Sequence, residues 1–291
     1  MPSSAAVREL PSRTAAPPLA AVPAAPRPAP TGQVRLEQIG IRFGAGAKAV
    51  DAVRGVDLSL AAGEFVSIVG PSGCGKSTLL NVVAGFTRPT EGRAWLDSQA
   101  ITGPGPDRGV VFQQYSLFPW LTVRGNVEYG LRVRGLPRAE RAAVAGDLLA
   151  RCGLSAFSSH YPEQLSGGMR QRVGIVRALA NEPRVLLLDE PFGALDAQTR
   201  EVMQALLLDI WRRFRTTVLF ITHDIEEAVF LSDRVCAMSA RPGRILADLP
   251  VTLPRPRHHD MTRTGDGARL VGELRSLIRA QSLAAFDPAL A

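Results

Sequence analysis

The chain has 291 residues, 46% hydrophobic and 21% charged, with a formal net charge of +7. That apolar content supplies a sizeable core, and no apolar run approaches the roughly 18 residues a membrane-crossing helix needs, so a soluble or peripheral protein is expected. Only Lys48 and Lys76 are lysine among the 34 basic residues. The arginines are scattered rather than striped with aromatics, which argues against nucleic acid as a partner, and three cysteines without metal-type spacing read as free thiols.

Residues 1–32 form a Pro/Ala-rich tail. Eight of the 22 prolines fall in the first 30 residues, and such a stretch cannot bury a core, so it is expected to be disordered. Folded sequence starts near Gln33. Alternation at Val34, Leu36, Ile39, Ile41 and Phe43, and again at Val56, Leu58 and Leu60, predicts two or three strands before the turn at Ala62-Gly63. Phe65–Val69 predicts a buried strand and Thr78–Ala84 a helix. Ala94–Leu96 and Gly109–Phe112 predict further strands. From Thr122 to Cys152 the pattern is helical throughout. The β–α alternation resumes with strands at Val185–Leu188, Thr217–Ile221 and Arg234–Met238, which argues for a parallel sheet covered by helices. A C-terminal tail, 258–291, carries one amphipathic helix from Arg269 to Phe286.

Between the strand at Phe65–Val69 and its helix lies Gly70-Pro71-Ser72-Gly73-Cys74-Gly75-Lys76-Ser77-Thr78. The spacing G-x-x-x-x-G-K-S in a strand–turn–helix context is a phosphate-binding loop. Glycines let the backbone curl so that successive N–H groups point inward at phosphate oxygens, and the helix N-terminus adds its own partial positive charge. ATP or GTP binding follows. Cys74, inside the loop, is expected to be open to alkylation but has no neighbouring base to make it a nucleophile.

Two more constellations carry chemistry. Val185–Leu188 is an apolar strand ending in Asp189 and Glu190, and strand C-termini are where open α/β sheets place ligands. Asp189 is positioned to hold Mg²⁺ together with the Ser77 hydroxyl, and Glu190 to polarise an attacking water. Ser166-Gly167-Gly168, ahead of a helical run through Ala180, offers a second phosphate cradle. One small nucleotide does not need two cradles in one protomer; the second makes sense if it closes on nucleotide held by another copy.

Leu165-Ser166-Gly167-Gly168-Met169-Arg170-Gln171-Arg172, with the elements around it, resembles the signature of ATP-binding cassette (ABC) proteins, and the resemblance covers about Val34 to Arg257. It implies an α/β P-loop NTPase fold with an antiparallel β subdomain, a nucleotide-binding domain over 33–257 and a helical subdomain over about 114–180. By the same resemblance Phe43 stacks on adenine, Gly70 to Thr78 is the Walker A loop and Lys76 reaches the β- and γ-phosphates. Gln113 becomes the Q-loop glutamine that senses Mg²⁺ and water, with Gln114 a less favoured assignment. Ser166, Gly167, Gly168 and Gln171 contact the nucleotide of the other copy. Asp189 and Glu190 match Walker B, and Asp196 lies in the D-loop, preceded at Gly193 by a residue that many relatives carry as Ser. His223 in Ile221-Thr222-His223-Asp224 matches the switch histidine.

Finer strings narrow the resemblance. Ser116-Leu117-Phe118-Pro119-Trp120-Leu121-Thr122-Val123, Asp189-Glu190-Pro191-Phe192-Gly193-Ala194-Leu195-Asp196 and Ser239-Ala240-Arg241-Pro242-Gly243-Arg244-Ile245 are similar to the ATPase subunits of nitrate, sulfonate and taurine importers. The implied protein hydrolyses ATP with Mg²⁺ as a homodimer on the cytoplasmic face of the cell's inner membrane. It would be bound to integral permease subunits and served indirectly by a periplasmic or surface solute-binding protein. Two alternatives belong to other classes: a soluble ABC ATPase acting on nucleic acid or ribosomes, which would call for tandem cassettes or inserted coiled coils, and an ATP switch without useful turnover, against which intact Glu190 and His223 argue. Trp120, in a loop-like aromatic cluster, is expected at a permease-docking surface, with burial under the helical subdomain as its rival.

Overall fold

The computed structural model describes residues 31–113, 116–193 and 195–286. The tail expected over 1–32 thus lies almost wholly outside the described residues, as do Gln114, Ala194 and the last five residues. In chain order the elements are β1 (Val34–Phe43), β2 (Val50–Leu60), β3 (Phe65–Val69), α1 (Lys76–Ala84), β4 (Glu91–Leu96), β5 (Gln99–Ala100) and β6 (Arg108–Val111). Three helices follow, α2 (Val123–Val133), α3 (Arg138–Arg151) and α4 (Gly167–Ala180). Then come β7 (Val185–Asp189), α5 (Ala197–Phe214), β8 (Thr217–Ile221), α6 (Ile225–Leu231), β9 (Arg234–Met238), β10 (Ile245–Pro250) and α7 (Gly265–Phe286).

The strands sort into two sheets. A four-stranded antiparallel sheet runs β2-β1-β4-β5, and a six-stranded sheet runs β10-β9-β3-β8-β7-β6. In the second, β9, β3, β8, β7 and β6 are mutually parallel and β10 pairs antiparallel on the edge. The sequences explain the split. Phe65–Val69 and Thr217–Ile221 are buried at every position, as strands covered on both faces must be, whereas β1 and β2 mix buried and exposed positions.

Alternate residues of the parallel strands feed opposite layers. Val66, Ile68, Leu187, Leu219 and Ile221 pack with α1 and the antiparallel sheet. Phe65, Leu186, Leu188, Val218 and Phe220 pack instead with residues of α4 and α5, including Trp211. A separate core built from Val127, Leu131, Leu149, Val173 and Val176 holds α2, α3 and α4 together.

The unbroken helical stretch expected over Thr122–Cys152 is two helices. Gly135, at φ 81°, turns the chain between them, and Pro137 stands at the N-cap of α3. The alternation at Val34–Phe43 forms a single strand, bulged next to Gln38, whose φ is 48°. The terminal helix starts at Gly265, four residues before its expected start, and packs on α6 and β9 through Leu270, Val271 and Leu274.

Candidate functional site

Four segments leave the parallel sheet at the same edge, the C-terminal ends of neighbouring strands: Gly70 follows β3, Gln113 follows β6, Asp189 closes β7 and Glu190 follows it, and Thr222 and His223 follow β8. Pairing fixes their heights, since Asp189 stands opposite Ile221 and the Glu190 N–H donates to the Ile221 carbonyl at 2.9 Å. Residues far apart in sequence thus meet because their strands are adjacent.

The loop after β3 curls as its glycines permit. Gly73 has φ 72° and Gly75 φ 104°, both left-handed, and Gly75 is the N-cap of α1. A Cβ on Gly75 would stand 2.7 Å from Val53 Cγ2 and 2.9 Å from the Ala52 carbonyl oxygen, so α1 starts hard against β2. Lys76 is buried, and its ammonium donates to the carbonyls of Gly70 at 2.8 Å and Pro71 at 2.9 Å. A cavity of ≈ 460 Å³ opens over this loop, with Ser72, Gly73, Gly75, Lys76, Ser77, Thr78, Gln113 and Glu190 in its lining. Phe43, Val50, Ala52 and Arg241 line it from other elements. Gly70 and Pro71 lie behind that lining, where their carbonyls hold Lys76. The Cys74 thiol, expected to be open to alkylation, is buried against Gly70 instead.

Phe43 ends β1 and is 50% exposed on the cavity wall. Its ring is therefore a surface available to a flat ligand rather than part of the core.

The acid pair divides its contacts. The Ser77 hydroxyl donates to Asp189 Oδ1 at 3.1 Å, and burial pushes the Asp189 carboxyl pKa above its ordinary value, opposed by that hydrogen bond. A hydroxyl and a carboxylate side by side are hard oxygen donors of the kind Mg²⁺ takes. Among the described residues no group of three or more His, Cys, Asp or Glu could hold a metal by itself, so a cation here would complete its shell with phosphate and water oxygens. Glu190 sits at φ 46°, a left-handed conformation that costs a non-glycine residue about 1–3 kcal/mol. Its Oε2 receives Gln113 Nε2 at 3.4 Å and lies 3.3 Å from His223 Nδ1.

The switch loop is held from behind by a buried polar cluster that the sequence gave no sign of. Thr222 Oγ1 donates to Glu227 Oε2 at 2.6 Å and Gln204 Nε2 to Glu227 Oε1 at 2.8 Å, while the Asp224 N–H donates to Thr222 Oγ1 at 3.0 Å. Burial drives the Glu227 carboxyl pKa upward. His223 itself remains exposed beside Glu190.

The second cradle stands apart. Ser166 is the N-cap of α4 and its hydroxyl accepts the Met169 N–H at 3.3 Å. Asp196 caps α5 in the same way, accepting the Thr199 N–H at 2.9 Å, and those hydrogen bonds lower its pKa. Among the described residues that line the cavity, none comes from Ser166, Gly167, Gly168, Gln171 or Asp196. Gln171 needs correcting. It is 2% exposed, inside α4, with Nε2 unpaired, so it is a core residue and not a surface contact for nucleotide. The helical period places it on the inward face, which the residue string alone did not reveal.

In the sequence Arg241 and Gly243 stand only in a subgroup string, yet Arg241 lines the cavity and Gly243 closes on Cys74 behind it. Nothing in their spacing signals this; it follows from the pairing of β9 with β3. Trp120 is 69% exposed, which rules out the core alternative, and it lies against Phe118 with ring centroids 5.5 Å apart.

A family model described as ABC transporter matches residues 53–193. A nitrate import ATP-binding protein of Synechocystis sp. is 50% identical over 236 residues, covering 79% of this chain and 89% of its own. A taurine import ATP-binding protein of Chromobacterium violaceum is 49% identical, covering 81% and 87%. Among solved structures, a dimeric post-hydrolysis ATP-binding cassette bound to ADP and Pi superimposes with a TM-score of 0.69 at 35% identity, covering 76% of this chain and all of that one.

Proposed function

The chain belongs to the ABC transporter family, and on that premise we propose that this ATPase energises import of a small anion of the nitrate, sulfonate or taurine kind. The observation that carries the catalytic part is the meeting of Gln113, Glu190 and His223 around one carboxylate oxygen, beside the phosphate loop. Phosphoryl transfer asks a protein for positioning and charge stabilisation more than for covalent chemistry.

Lys76 would exchange its bonds to loop carbonyls for the β- and γ-phosphate oxygens. Glu190 would accept from the attacking water and hold it in line. Gln113 and His223 both lean on its Oε2, which leaves Oε1 for that water. To serve both oxygens His223 would have to carry a proton on each ring nitrogen, donating Nδ1–H to Glu190 and Nε2–H to the γ-phosphate. Ser77 and Asp189, with Gln113 across the cavity, are the residues to hold Mg²⁺, which when bound neutralises phosphate charge. The Ser166-Gly167-Gly168 cradle, absent from this cavity, would close on the nucleotide of a second copy, so that hydrolysis waits on closure.

Integral permease subunits are the second partner. Among the described residues no helix is long and apolar enough to cross a membrane, and Trp120 with Phe118 offers an exposed aromatic contact to a permease loop. The importer reading would put the chain peripherally on the cytoplasmic face of the inner membrane, with a solute-binding protein on the far side choosing the solute.

Glu190→Gln tests the catalytic assignment. It should retain ATP affinity and lower steady-state hydrolysis by at least about 10²-fold; hydrolysis at the parent rate removes Glu190 from the mechanism. Uptake of nitrate and of taurine by cells with and without this chain tests the transport reading, which falls if neither solute depends on it.

A further inference from the structure

We infer that Arg241 is a positioning residue for nucleotide binding: it clamps the Gly73 carbonyl and thereby aims the phosphate loop. The inference rests on the nucleotide-site reading above and extends it to a residue outside the loop. The Arg241 guanidinium donates two hydrogen bonds to the Gly73 carbonyl oxygen, from Nε at 3.2 Å and from an Nη at 3.0 Å. Both are charge-assisted, the stronger class of hydrogen bond.

The peptide plane turns that contact into a consequence for ligand. In a trans peptide the C=O and the following N–H point in opposite directions. Holding the Gly73 oxygen outward therefore holds the Cys74 N–H toward the loop interior, where that N–H meets the Pro71 carbonyl at 3.4 Å. Gly73, at φ 72°, has no side chain to fix its own peptide. Lys76 orients the Gly70 and Pro71 carbonyls from inside the loop, and Arg241 does the same for Gly73 from outside.

The clamp stands on a rigid base. Ser239 Oγ lies 2.8 Å from the Ala240 carbonyl and 3.0 Å from that of Pro242, its one proton shared between them, and accepts the Arg244 N–H at 2.9 Å. Gly243 exchanges backbone hydrogen bonds with β2, donating to Ala52 at 2.9 Å and accepting from Arg54 at 3.0 Å. A Cβ on Gly243 would stand 2.1 Å from the Cys74 carbonyl oxygen, so this segment packs directly against the loop. On its far side the Ala240 N–H reaches Gln281 of α7 at 3.4 Å.

Removing the clamp leaves one loop peptide to be ordered at each binding event. Arg241→Ala should therefore weaken ADP binding and raise the KM for ATP, each by about ten-fold, with a much smaller change in kcat at saturation. Arg241→Lys, with one donor and no fork, should recover part of the affinity. Arg244→Ala is the control for charge, because Arg244 shares with Arg241 a neighbouring cavity of ≈ 790 Å³ while Arg241 makes the bonds to Gly73. It should leave KM near the parent value. ADP affinity is read by isothermal titration and KM by steady-state ATPase assay.

An equal loss in Arg244→Ala would make the effect one of local potential and overturn the clamp. So would unchanged ADP affinity in Arg241→Ala combined with slow hydrolysis, since Arg241 would then act across the two copies. A parent chain that binds no ADP would instead overturn the nucleotide-site reading itself.

Discussion

The phosphate loop and the Ser166-Gly167-Gly168 loop use one device, glycines at the start of a helix, and finish it in opposite ways. At α1 the cap is Gly75, pressed against β2 so closely that no side chain fits, and Lys76 and Ser77 have partners in their own chain. At α4 the cap is an exposed serine whose hydroxyl serves only its own helix. Gly168 is backed by Leu195, whose Cδ2 a Cβ there would meet at 3.2 Å, so the second loop is supported from behind and open in front. A site completed within the chain binds alone. On the proposed function the open one closes on a second copy, and coupling hydrolysis to that closure would tie chemistry to movement.

Blocking the open loop should have the largest effect. Ser166→Arg places a bulky cation where the second copy's nucleotide would arrive, so hydrolysis should fall at least about 10³-fold, the scale of losing a preorganised oxyanion contact. ADP affinity of the single chain should stay within about two-fold, because nothing in its own cavity changes. Parallel loss of ADP affinity would show that both loops serve one protomer and would end the contrast.

Changing the closed loop should act on affinity first. Lys76→Ala removes the ammonium and leaves the Gly70 and Pro71 carbonyls without that donor. A charged hydrogen bond is worth about 1.5–3 kcal/mol, so the dissociation constant for ADP should rise about 10- to 100-fold. Nucleotide titration of the purified variant checks this. Unchanged affinity would mean that the ammonium stays on its own loop when nucleotide binds.

These two loops also mark how far the sequence could be read. The phosphate loop was legible because its glycines, lysine and serine act through backbone geometry that spacing specifies. β3, β8 and β9 were legible because strands covered on both faces are apolar at most positions. Gln171 was misread because a motif string does not say which face of α4 a residue takes. The break at Gly135 was missed because helical periodicity continues on both sides of it. Arg241 and the Glu227 cluster were invisible for a different reason: their partners lie 168 residues away for Arg241 and Gly73, and 23 for Gln204 and Glu227. Only the pairing of strands brings them together.

The smallest expected effect concerns two carboxylates, one in each region. Burial holds the Asp189 pKa above its unfolded value, whereas hydrogen bonds from Thr199 hold that of Asp196 below. Linkage gives opposite signs. The contribution of Asp189 is present below its unfolded pKa and lost as pH rises through the folded value, so at neutral pH the ionised group weighs against the metal- and nucleotide-free fold. The contribution of Asp196 is present above its unfolded pKa and lost as pH falls through the folded value. Asp189→Asn should therefore raise the melting temperature of the free chain at pH 7, by no more than a few degrees for a chain of this size, and the gain should vanish in acid. Asp196→Ala should lower it at pH 7 through loss of the α5 cap. Calorimetry of both variants across a pH series, without Mg²⁺ or nucleotide, checks the pair. A lower melting temperature for Asp189→Asn at pH 7 would show that Ser77 and Lys76 already balance the Asp189 charge, and that this part of the cavity has no need of a cation.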